Sequence, residues 1–120
     1  MALIRATSGG GGSAEAYYDT LTNVASNSTT PIHCGFVPTQ IMITETNCSN
    51  SSVWTYLYDE NYATNKIRYM GSTGSGVDNW TDWNFGTSGS TIVDWLSDGF
   101  NWHTSSNRNI GRLDIMAIKK

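Results

Sequence analysis

The segment VWTYLYD at Val53–Asp59 constrains this chain more than any other, because five of its seven residues are β-branched or aromatic. In an extended strand successive side chains leave opposite faces, so Trp54, Tyr56 and Tyr58 share one side and Val53, Thr55 and Leu57 the other. A strand rich in apolar groups on both faces is expected where both are covered. QIMITET at Gln40–Thr46 alternates in the same way, with Ile41 and Ile43 opposed to Met42, Thr44 and Thr46. KIRYM at 66–70 sets Ile67 and Tyr69 against Lys66 and Arg68. RLDIMAI at 112–118 aligns Leu113, Ile115 and Ala117 against Asp114 and Met116, and Phe100 and Trp102 share a face after an Asp98-Gly99 turn. STIVDWLS at 90–97 suits a strand or a helical turn capped by Ser90 equally well.

Turn formers separate these runs: NCSNSS at 47–52, DENYATN at 59–65, GSTGSGVDN at 71–79 and SSNRNIG at 105–111. Ser, Thr and Asn make up 40 of the 120 residues, and only 14% are charged, against roughly 25% in ordinary soluble domains. Such a chain lacks the Ala, Glu, Lys and Leu of a helical bundle, while its 12% aromatic content argues against disorder. Short strands punctuated by turns predict a single all-β domain, an antiparallel β-sandwich of jelly-roll-like character, over residues 14–120. Residues 1–13 read as an arm. Leu3, Ile4 and Arg5 precede the four consecutive glycines 9–12, a flexible tether. The apolar tip either docks, on its own domain or on a neighbouring subunit, or is a disordered terminus.

The seven Lys and Arg, with a net charge of −3, form no stripe, so nucleic acid is not an expected partner. No stretch reaches the length of a secretory apolar core or a membrane span, so neither secretion nor membrane insertion is expected. Cys34 and Cys48 then read as two reduced, partly buried thiols, and a disulfide would require their Cα atoms to lie within about 7 Å. The acceptor sequons at Asn27, Asn47, Asn50 and Asn79 are those that so many hydroxyl residues produce by chance.

Chemistry-bearing residues are few. His33 adjoins Cys34, but strand neighbours face opposite ways, which places the imidazole badly to activate the thiol. Two Cys with His33 and His103 lack metal-ligand spacing, so no metal or other cofactor is expected. Asp78, Asp82, Asp94 and Asp98 fall among tryptophans, as a glycosidase cleft would need, yet each has the neighbours of a turn or cap residue. Trp54, Trp95 and Trp102 sit in apolar strands and belong to the core. Trp80 and Trp83, in the loop-like NWTDWNF, either pack or present indole faces for recognition together with Asp82 and Asn84.

The order of segments resembles a known group. It runs from MALIRATSGGGG through GFVPTQIMI at 35–43, YDE at 58–60, NYATNKIRYM at 61–70 and SDGFNWHT at 97–104 to RLDIMAI. This resembles the small β-sandwich structural proteins encoded with the tail modules of tailed bacteriophages and prophages. The resemblance implies a non-enzymatic virion component (tail tip, fibre or capsid decoration), made in the bacterial cytoplasm and assembled with other virion subunits, itself included. It carries no catalytic residues. The alternative expectation is a carbohydrate-binding module that recognises a host-surface glycan.

Overall fold

The computed structural model describes residues 2–7, 13–62, 66–73, 76–77, 81–84 and 91–120, with side chains for 15–62, 66–71 and 94–120. These residues form eleven strands and no helix: β1 (Ala2–Thr7), β2 (Ser13–Val24), β3 (Thr29–His33), β4 (Gln40–Thr46), β5 (Val53–Asp59), β6 (Lys66–Thr73), β7 (Gly76–Val77), β8 (Thr81–Asn84), β9 (Thr91–Leu96), β10 (Gly99–His103) and β11 (Ile110–Lys119). Every pairing is antiparallel. The large sheet has eight strands in the order β1-β2-β11-β4-β5-β6-β7, with β8 also paired to β6, and the small sheet is β3-β10-β9. The chain is thus a β-sandwich, as the alternating segments predict.

Alternation decides which face each side chain serves. Ile41 and Ile43 of β4, Tyr56 and Tyr58 of β5, Ile67 of β6 and Leu113, Ile115 and Ala117 of β11 are buried. They meet Ile32, Phe100 and Trp102 of the small sheet in one cluster. The layers interlock through aromatic rings: Tyr56 meets Trp102 edge-on at 4.8 Å between centroids, and Tyr58 meets Trp95 at 5.2 Å. Burying each large apolar side chain contributes about 1.5–3 kcal/mol before entropy is counted. Trp102 is fully buried, and Trp54 and Trp95 pack against the core half-buried.

Three segments read less directly. Thr91–Leu96 is a strand, because β10 supplies its hydrogen-bonding partner through Gly99↔Leu96 and Phe100↔Trp95. The turn-rich segment after Met70 gives up 71–73 to β6 and 76–77 to β7, which pair with each other at Ser72↔Val77. Ser13–Val24, too polar to stand out in the sequence, becomes the longest strand, since β11 lies along it from Ile110↔Val24 to Lys119↔Glu15. Pro31 sits in β3, at the edge of the small sheet, where its missing N–H costs nothing.

Ala2–Thr7 pairs in register with 13–18, placing Leu3 opposite Tyr17, Ile4 opposite Ala16 and Arg5 opposite Glu15. β1 is therefore an end strand of the large sheet. The glycines 9–12 lie outside the described residues.

Candidate functional site

The large sheet turns one face to the small sheet and the other outward, and the outward face carries a row that crosses four strands. Tyr18 of β2 is paired with Met116 of β11, Met116 with Met42 of β4, and Met42 with Leu57 of β5. Tyr18, Met42 and Met116 are 42, 40 and 38% exposed, three large apolar side chains side by side in solvent. At one flank of the row opens a groove of about 230 Å³, between Met42, Leu57, Met116 and Ile118, with Gln40 and Asp59 at its polar end. Gln40 Nε2 donates to Asp59 Oδ2 at 3.0 Å.

The other flank is polar and pinned. Asp114 Oδ1 accepts hydrogen bonds from Thr20 Oγ1 at 2.7 Å and from Arg112 Nε at 3.1 Å. The Thr20 hydroxyl is the main reason that the Asp114 carboxyl lies below its ordinary 3.8, with slight burial opposing and Arg112 assisting. Register places Thr44 beside Asp114 and Thr55 beside Thr44, so threonines continue this row toward β5. The charges of Arg112 and Asp114 neutralise each other within the face. A face built this way suits protein docking: apolar along the row, with hydrogen-bonding and charged groups at its margin, where Arg68 lies beside Leu57 and Asp59 lines the groove.

Inside the sandwich lies a second polar group. Glu45 is fully buried on β4, at the inward position two residues beyond Ile43. Arg108, in the connection between β10 and β11, donates to Glu45 Oε1 from Nη2 at 2.7 Å and from Nε at 3.2 Å. Tyr56 donates its hydroxyl proton to the same oxygen at 3.1 Å and accepts from Arg108 Nη2 at 2.9 Å. The guanidinium carbon stands 5.0 Å over the Trp54 ring. Burial opposes the Arg108 charge, but Glu45 and Tyr56 outweigh it and raise the guanidinium pKa above its ordinary value. Glu45 Oε2, Trp54 Nε1, Trp102 Nε1 and Thr104 Oγ1 are buried without a hydrogen-bond partner among the described residues. With no cleft open to it among the described residues, this group acts on the fold: it ties the β10–β11 connection to the centre of the large sheet.

The residues singled out in the sequence are dispersed. Leu3, Ile4 and Arg5 lie in β1. Trp80 lies outside the described residues, whereas the segment read as loop-like forms strand β8 at Thr81–Asn84, with Asp82 opposite Arg68, Trp83 opposite Ile67 and Asn84 opposite Lys66. Asp78 is also outside the described residues; Asp94 accepts from Asn101 Nδ2 at 2.6 Å, and Asp98 pairs with His33 at 3.1 Å on the small sheet's outer side. His33 is exposed and Cys34 buried, on opposite sides of the chain as alternation predicts. Burial, with Asp98 nearby, pushes the Cys34 thiol up to about 12. Both cysteines are free. Among the described residues no three His, Cys, Asp or Glu gather as metal ligands, and no helix is long and apolar enough to cross a membrane.

Comparison with family models, with curated proteins and with solved structures finds no match to this chain.

Proposed function

We propose that this chain is a non-enzymatic structural subunit of a tailed-bacteriophage virion that assembles with copies of itself. The observation that carries the reading is the solvent-facing row Tyr18–Met116–Met42–Leu57. Large apolar side chains exposed side by side on a strand face form the kind of patch that marks a contact between subunits. Arg112 and Asp114 pair beside that row, and the face also carries Arg68 beside Leu57 and Asp59 at the groove, charges of both signs that a symmetric contact can match. β1, with Leu3, Ile4 and Arg5, ends the large sheet and offers a further edge to a neighbour. The sandwich and the resemblance to tail-module structural proteins support the same reading.

A mass-spectrometric inventory of purified particles tests it. The chain is expected among the virion proteins in stoichiometric amount. Particles complete and infective without it would overturn the proposal.

A further inference from the structure

A second cleft, of about 370 Å³, opens where three strand connections meet: the end of β2, the β4–β5 connection and the start of β11. Its size falls within the range of small-ligand sites. Asn23, Asn47, Ser49 and Asn109 give it polar walls, exposed Ala25 gives it an apolar surface, and Val24 and Ile110 behind it belong to the core. None of the eight residues lining it is charged.

The walls are held before any ligand arrives. Gly111 N donates to Asn47 O at 3.0 Å, Ser49 N to Asn109 O at 2.9 Å, Asn109 N to Ser49 Oγ at 2.9 Å, and Ser26 N to Asn109 Oδ1 at 2.8 Å. A Cβ on Gly111 would come within 2.6 Å of Asn47, so this close approach requires glycine. Asn23 and Asn47 hold left-handed backbone at φ 56° and 51°, a region asparagine tolerates better than most residues. The three connections are thus laced into one support, which reduces the ordering cost of binding.

We propose that this cleft binds a neutral saccharide. An asparagine amide offers two donors and an acceptor in one plane, which matches adjacent hydroxyls that both donate and accept. The Asn109 oxygen is occupied by Ser26, so its amide protons are the groups it turns to a ligand, and Ser49 keeps its hydroxyl proton to donate. The C–H face of a sugar ring suits the exposed methyl of Ala25. Phosphates, carboxylates and ammonium groups would find no counter-charge in this lining. The inference stands apart from the assembly reading, because a monomer would carry the same cleft.

The test is a titration of the full chain, followed by amide NMR, with glucose, galactose, mannose, N-acetylglucosamine and lactose at tens of millimolar, where even a site of roughly millimolar affinity fills. At least one sugar is expected to shift the amides of residues 23–25, 47–49 and 109–111. Asn109→Asp keeps the oxygen that accepts from Ser26 and loses the donors, so it should weaken that binding tenfold or more with the rest of the spectrum unchanged. Asn47→Asp, compatible with the same backbone, should do likewise. Silence of these amides with every sugar, shifts confined to other segments, undiminished binding by both folded variants, or an equal response to a neutral blocked dipeptide would each overturn the proposal.

Discussion

Arg108 Nη2 stands 2.7 Å from Glu45 Oε1, a contact between residues 63 positions apart that are both shut away from solvent. Removing the cation alone leaves a buried carboxylate without its counter-charge, so Arg108→Met should lose about 3–5 kcal/mol of stability, read from urea unfolding. Replacing the group as a whole, with Glu45→Leu, Tyr56→Phe and Arg108→Met together, should recover most of that loss, because no polar atom of the group then remains unpaired. A single variant as stable as the parent would show that the pair is not closed in solution.

Gly71 is buried beneath the Trp54 indole, where an added Cβ would lie 2.3–2.6 Å from ring carbons. The ring also lies beneath Arg108 and against Tyr69, at 5.7 Å between centroids, so it has little room to retreat. Gly71→Ala should therefore destabilise by about 1–3 kcal/mol and alter the tryptophan emission. Unchanged stability and emission would place the indole elsewhere.

Burial raises the Cys34 thiol from an ordinary 9.0 to about 12, and the Tyr17 and Tyr58 hydroxyls are raised by the same cause. Above pH 9 the unfolded chain releases these protons while the folded chain keeps them, so stability should fall as pH climbs from about 9 toward 12. Cys34 is only 2% exposed and burial holds its thiol protonated near neutrality, so native protein should resist iodoacetamide that alkylates it readily in urea. Equal alkylation in the two states would contradict the buried placement.

The strands that read clearly are those whose alternation is enforced by burial on one face. In β4 the inward set is Ile41, Ile43 and Glu45, and the pattern itself marks Glu45 as a carboxylate at a core position. Its partner was illegible. Arg108 sits among turn formers in SSNRNIG with no periodicity, and only the closed sandwich brings it to β4. β2 does not stand out in the sequence because its inward side mixes Tyr17 and Leu21 with Asp19, which accepts from Tyr17, and that polar interruption hides the period. The outward row is likewise a product of register. Met42 and Met116 are separate outward residues in the sequence, and β11 inserted between β2 and β4 sets them side by side. The asparagine cleft joins three connections far apart in the chain, so no local motif announces it.

The central claim, self-assembly through the outward face of the large sheet, is tested most directly by light scattering on the size-separated full chain and on Met42→Lys/Met116→Lys. Both substituted positions are exposed, so the fold should survive the change. The parent should elute as an oligomer and the double variant as a folded monomer, with deletion of 1–12 also reducing the assembly. A monomeric parent, or a double variant of undiminished size, would contradict the account.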